Sequence, residues 1–196
     1  MPPIIPVLIL AYGLGCLSAG YYMARWKGLD LRATGSGSTG ARNAGRLLGK
    51  GAFTLTFALD LLKGVAAVLV ARLFVPSPWA PALAWVLVVA GHVWPAQLGF
   101  RGGRGISPAV GGLLATSPLL AVLLAVPLLL GWGLTRSFKR GGMLAVLAGP
   151  FLVWILRRPL GLGVQACLAF SLLALLLVTT HLKTLKYGVP PPQGAR

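Results

Sequence analysis

Apolar residues in this chain neither alternate nor keep to one helical face; they come in nearly unbroken runs, and the basic residues sit mostly in the gaps between them. In hydrocarbon only a helix satisfies its own backbone, so each run of bilayer length predicts a membrane-spanning helix. The first run is Ile4 to Met23, the second Ala52 to Val75, closed by the turn at 76–81, and the third Ala82 to Leu98. Basic residues (Arg25, Lys27, Arg32) follow the first run and none precedes it. It therefore reads as a retained span with its N-terminus outside rather than as a cleaved leader.

Residues 106–132 are apolar almost throughout, yet Thr116-Ser117-Pro118 puts a helix breaker in their middle. As one span they give six crossings, with ten basic loop residues inside and seven outside. As two they give seven crossings, with fourteen inside and three (Arg72, Arg157, Arg158) outside, which the positive-inside rule favours. The price is a segment, Ile106 to Thr116, of roughly 16 Å as a helix, too short for a ~30 Å core. Short broken helices are tolerated where they pack in protein or line a polar cavity, so this one is a candidate wall of the active site. The remaining spans are Leu119 to Leu134, Met143 to Leu156 and Val164 to Thr180. The expected fold is all-α: a polytopic helical membrane protein with seven spans, the N-terminus outside and the C-terminus cytoplasmic. Residues 1–187 form a single domain, and 188–196, with Pro190-Pro191-Pro192, a disordered tail.

Composition narrows the chemistry. Of 196 residues 57% are hydrophobic and 10% charged, against roughly a quarter charged in a soluble domain. Eighteen Lys and Arg face only Asp30 and Asp60, a formal charge of +16, so an anion is the expected partner. Nucleic acid is not, because that reading needs a basic face on a soluble fold. Two carboxylates leave little for a Mg²⁺ cage, a two-metal site or a glycosidase pair. Cys16 and Cys167 lie in apolar runs without metal-ligand spacing, and no metal or cofactor is expected.

Two loops on the expected cytoplasmic side carry anion-binding chemistry. The first holds Gly35-Ser36-Gly37-Ser38-Thr39-Gly40-Ala41-Arg42-Asn43-Ala44-Gly45-Arg46. Its G-x-G-x-x-G spacing imitates a dinucleotide fingerprint, but a membrane helix stands where that fingerprint needs a strand. What remains is a phosphate cradle: glycine amides, the hydroxyls of Ser36 and Ser38, Asn43, and Arg42 and Arg46 to neutralise charge. The second runs from Gly91-His92 to Arg101-Gly102-Gly103-Arg104-Gly105 and opens into the short helix, whose N-terminal dipole also favours an anion. His92 could act as a general base or as a phosphate donor, or be a capped structural residue. Asp60 and Lys63, at i and i+3 within the second span, neutralise each other; Lys63 could also face the charged cavity. His181 opens the last basic stretch and could close the site or end its helix.

These residues resemble the bacterial acyl-phosphate-dependent glycerol-3-phosphate acyltransferases of the PlsY type, small polytopic inner-membrane enzymes. The resemblance runs to about Tyr187. It rests on Asp30-x-Arg32 leading into Gly35-Ser36-Gly37-x-x-Gly40-Ala41-x-Asn43-x-x-Arg46, on Asp60-x-x-Lys63-Gly64, and on Gly91-His92-x-x-Pro95 leading into Phe100-x-Gly102-Gly103-x-Gly105. It implies seven spans, an acyl phosphate on the first loop, glycerol phosphate on the second, and an acyl chain in a groove open to membrane lipid. By the same resemblance Ser36 and Arg46 serve the first loop as catalytic residues, and His92, Arg101 and the glycine cluster serve the second. The chain departs from the family pattern at Ser38 (usually Asn), Arg42 (Thr) and Arg104 (Lys). Of a third motif only His181 remains, with Thr184 where that motif has asparagine.

The expected reaction is acyl transfer from acyl phosphate to the sn-1 hydroxyl of glycerol 3-phosphate, giving lysophosphatidic acid. It is expected of a monomer in the inner or plasma membrane with its site facing the cytoplasm. An acyl phosphate carries its own leaving group, so anion binding and alignment matter more than a metal. His92 or a substrate phosphate oxygen takes the proton. The competing readings are a carrier or channel for phosphorylated anions and a catalytically silent lipid-phosphate-binding paralogue.

Overall fold

The computed structural model describes residues 4–186, with side chains through Leu182. The expected tail, 188–196, and the side chain of Thr184 lie outside the described residues. All regular structure among them is helical: α1 (Ile4–Cys16), α2 (Ala19–Trp26), α3 (Ala41–Leu48), α4 (Lys50–Phe74), α5 (Trp79–Val93), α6 (Ile106–Thr116), α7 (Pro118–Thr135), α8 (Phe138–Leu156) and α9 (Val164–Lys186), with a short 3-10 turn at Ala96–Leu98. Five helices are long and apolar enough to cross a membrane, and α1 with α2 makes a sixth bent by 41°. The shorter α6 stands apart from this set, and its bounds coincide with the segment the sequence singles out.

The chain breaks at Thr116-Ser117-Pro118 as the proline predicts. Thr116 Oγ1 donates to Gly112 O at 2.8 Å, and Ser117 Oγ caps α7 by accepting from Leu120 N at 3.3 Å. The first span differs from expectation. The run from Ile4 to Met23 is not one helix but two, broken at Leu17-Ser18. No proline explains this break. Side chains from elsewhere take up the carbonyls it frees: Lys63 Nζ donates to Gly15 O at 3.0 Å and to Leu17 O at 2.7 Å, and Gln97 Nε2 to Cys16 O at 2.5 Å.

Lipid offers no hydrophobic drive between helices, so close packing of small residues has to hold the bundle. At the α1–α5 crossing a Cβ on Gly15 or Gly91 would overlap backbone of the facing helix (Val88 O, Tyr12 O). At the α4–α6 crossing Gly64 meets Pro108 O, and Gly111 meets Leu61 O. These contacts lock α6 against α4 and bury Pro108, Ala109, Gly111, Gly112 and Leu113. The outer helices leave Val122, Leu130, Phe151, Ile155 and Leu175 exposed, a surface suited to acyl chains.

Candidate active site

The first loop is built around one amide. Asn43 is 1% exposed; its Nδ2 lies 3.1, 3.0 and 2.9 Å from the carbonyls of Leu31, Thr34 and Ser38, and its Oδ1 accepts from Ser36 N at 2.9 Å. Gly35 has φ +61°, and a Cβ there would also overlap Asn43 Oδ1, so the turn requires glycine. Asn43, expected to bind phosphate, instead organises the loop through its bonds to backbone. Other donors are engaged locally: Gly37 N donates to Thr34 O at 3.1 Å, and Gly40 N to Ser38 Oγ at 3.3 Å. Gly40 caps α3, which presents Arg42 and Arg46 as exposed side chains beyond it.

Below this loop Asp30 and Arg32 form an ion pair at 2.8 Å. The Arg32 hydrogen bonds hold the Asp30 carboxyl below its ordinary value, and Asp30 in turn raises Arg32. Arg32 Nη1 also donates to Leu98 O at 3.2 Å, and Thr39 N to Gly102 O at 3.4 Å. The two loops, separate in sequence, are thus stitched together at two points.

The second loop folds back over the end of α5. Gly102 N donates to Val93 O at 3.1 Å and Gly103 N to His92 O at 2.9 Å. The amides of Gly102 and Gly103, expected to bind phosphate, are committed to this turn. Their glycine character serves close approach instead: a Cβ on Gly102 would overlap His92 O, and one on Gly103 would overlap His92 Nε2. Gly105, with φ +84°, is the N-cap of α6. Arg101 is exposed and joins no ion pair among the described residues.

Arg104 is the cation the structure brings inward. It is lowered below the ordinary guanidinium value by burial first, then by repulsion from Arg42 and Arg46. His181, on α9, lies within the electrostatic reach of Lys139, Arg104 and Arg42, and Thr180 Oγ1 lies 3.5 Å from Arg104 O. Arg42 and Arg46 on α3, Arg104 on the second loop and Lys139 on α8 thus bring uncompensated positive charge toward one place, with His181 beside it. No carboxylate is at hand, because Asp30 is paired with Arg32 and Asp60 with Lys63.

Beside this cluster Arg42, Gly45, Arg46, Lys50, Phe53 and Thr54 line a groove of about 400 Å³. Phe53 stacks with Phe57 at 6.1 Å, and both are partly exposed along α4. Cationic at one end and aromatic along the helix, the groove suits an anionic head with an apolar chain. Sequence reasoning missed Lys50 and Phe53; their i, i+3 spacing at the start of a span, one turn past Arg46, was the available signal.

His92, Asp60 and Lys63 form a buried group beneath the second loop. Lys63 Nζ lies 2.8 Å from Asp60 Oδ1 and 2.9 Å from His92 Nδ1. Asp60 Oδ1 lies 3.4 Å from His92 Nδ1. Lys63, expected as a possible additional site residue, thus reaches the site through His92.

A family model described as glycerol-3-phosphate acyltransferase matches residues 5–188. Among curated relatives, glycerol-3-phosphate acyltransferase 1 of Desulfitobacterium hafniense (strain Y51) is 41% identical over 92% of this chain and 88% of its own. The glycerol-3-phosphate acyltransferase of Synechococcus elongatus is 37% identical over 98% and 96%. Among solved structures, PlsY (YgiH), an integral membrane glycerol 3-phosphate acyltransferase in its glycerol 3-phosphate form, superposes with a TM-score of 0.83 at 30% identity, covering 93% of this chain and 90% of that one. Its lysophosphatidic acid form gives 0.80 at 29% identity.

Proposed function

Since the chain belongs to the glycerol-3-phosphate acyltransferase family, we propose how its residues carry out acyl transfer to glycerol 3-phosphate and from which donor. The donor is an acyl phosphate. Its phosphate is held by Arg42, Arg46 and Lys50 at the head of the α4 groove, with Ser36 beside it and the chain following Phe53 and Phe57 toward lipid. Glycerol 3-phosphate lies on the second loop, its phosphate facing Arg104, with Arg101, Lys139 and His181 around it. The sn-1 oxygen forms a bond to the acyl carbon as the acyl–phosphate bond breaks. The hydroxyl proton leaves to His92 or to a phosphate oxygen, and inorganic phosphate departs. The products are lysophosphatidic acid and phosphate.

One observation carries this reading. Arg42, Arg46 and Arg104 converge although their mutual repulsion is unrelieved by any carboxylate, an arrangement that two bound phosphates would neutralise. The one-sided charge suits a seven-span monomer in the inner membrane, N-terminus outside and site toward the cytoplasm, with α6 as the short crossing. A carrier for phosphorylated anions would need a site reached from both sides, and the enzyme family leaves that reading unsupported.

The test is lysophosphatidic acid formation in detergent from acyl phosphate, with acyl-CoA as the contrasting donor. Product is expected from acyl phosphate alone. Arg46→Ala should lower kcat/KM by roughly 10- to 100-fold, the range of one charge-assisted hydrogen bond. Equal rates for wild type and Arg46→Ala would overturn the site assignment, and product from acyl-CoA alone would overturn the donor.

A further inference from the structure

Lys63 is 7% exposed and His92 3% exposed, and the hydrogen bonds of the ammonium can be counted. An ammonium has three protons. Three hydrogen bonds leave Lys63 Nζ: to Gly15 O at 3.0 Å, to Leu17 O at 2.7 Å and to His92 Nδ1 at 2.9 Å. Asp60 Oδ1, though 2.8 Å from Nζ, is out of line for a hydrogen bond and is a buried oxygen without one. It supplies opposite charge, not a fourth acceptor. Nδ1 of His92 therefore accepts from Lys63 and carries no proton, and the ring proton is on Nε2.

Nε2 has no hydrogen-bond partner among the described residues. Among the described residues the enclosed polar side-chain atoms that lack a partner are Ser18 Oγ, Thr39 Oγ1, Thr56 Oγ1 and Asp60 Oδ1. Nε2 is not one of them, so it borders the space beside Gly103, where a Cβ would overlap it. Both carboxylates among the described residues are already paired, so the open N–H of this fixed imidazole points to an anionic oxygen from outside the chain as its ligand.

We propose that Asp60 and Lys63 are positioning residues that act through Nδ1, holding His92 as the tautomer with its proton on Nε2 so that the imidazole meets substrate as a hydrogen-bond donor. Its partner is an anionic oxygen of bound substrate, either a phosphate oxygen or the oxyanion that develops on the acyl carbonyl. Lys63 reads both the α1–α2 break and the ring, so the carbonyls of that break complete the orientation of His92. This assignment rests on the acyl-transfer reading of the site, and it distinguishes the two roles of His92 which that reading leaves open.

The chain has two histidines, which makes the test direct. In wild-type protein with ring nitrogens labelled with ¹⁵N, at neutral pH in detergent and with His181→Gln as the assignment control, His92 should give a protonated Nε2 and a bare, imine-type Nδ1. The reverse pattern, or two protonated nitrogens, overturns the proposal without reference to activity. The double variant Asp60→Asn/Lys63→Met removes both buried charges together, so neither is left alone in the interior. It should lose the single tautomer and lower kcat/KM by about tenfold or more, the effect of one charge-assisted hydrogen bond, through a raised KM where Nε2 meets a phosphate oxygen and through a lowered kcat where it meets the developing oxyanion. Wild-type ring signals together with wild-type kcat/KM in this variant would reduce Asp60 and Lys63 to structural roles and overturn the proposal. Should wild type form no lysophosphatidic acid, the functional reading falls while the nitrogen spectrum still decides the tautomer.

Discussion

Four contacts of a single amide hold the turn over residues 31–38 in shape, and Asn43 makes all of them. An aspartate there would offer no proton to the carbonyls of Leu31, Thr34 and Ser38, leaving buried oxygens facing a carboxylate. Asn43→Asp is therefore expected to destabilise the protein by about 3 kcal/mol and to lower acyl transfer at least tenfold. Thermal unfolding in detergent beside the lysophosphatidic acid assay checks both, and an unchanged melting temperature would mean that the amide is not the organiser of the loop. The sequence marks Asn43 as polar and one helical step from Arg42 and Arg46, which suggests a ligand. Its actual partners are carbonyls five to twelve residues earlier, and no local pattern reveals them.

Elements succeed or fail by how closely they approach. The helix α6 does not span by its own length, and it is held because Gly64 and Gly111 let α4 and α6 meet backbone to backbone. Gly64→Val would drive two methyl groups and a Cβ into Pro108 and Gly112, at a penalty of about 1–3 kcal/mol or more for overpacking. The expected outcome is a lower melting temperature in detergent and a displaced second loop, seen as a raised KM for glycerol 3-phosphate. Wild-type behaviour in both would show that α6 is not seated by this contact. The bounds of α6 are legible because proline and serine end a helix locally. The break between α1 and α2 is not, because it depends on Lys63 and Gln97 arriving from 46 and 81 residues away.

Across the whole molecule charge is sorted by end. Loop residues near Ser36 and Arg101 share a face with the cluster of Arg42, Arg46 and Arg104, whereas Ser77, Gly161 and Arg72 line a separate cavity of about 360 Å³ between the opposite helix ends. In a background with Cys16 and Cys167 replaced, single cysteines at Lys27 and Phe100 should react with an impermeant thiol reagent from one side of sealed membrane vesicles. A cysteine at Ser77 should react from the other. Labelling of Lys27 and Phe100 from opposite sides would dismantle the proposed topology and with it the shared site.

Hydropathy and charge are properties of neighbouring residues, so the sequence by itself determined the long apolar helices after the first, the short segment after the second loop, and the concentration of cations in two glycine-rich loops. It also pointed to an anionic substrate, because two carboxylates cannot balance eighteen cations. Only the tertiary structure decided what those loops do with their polar groups: the amides of Gly102 and Gly103 close a turn over His92, and Asn43 supports a loop. It alone brought Lys63 to His92, 29 residues away, and Lys139 toward Arg104 and His181. A hydrogen bond is settled by which donor arrives within about 3 Å of which acceptor, and that distance is set by helix packing, which the order of residues encodes only through the fold.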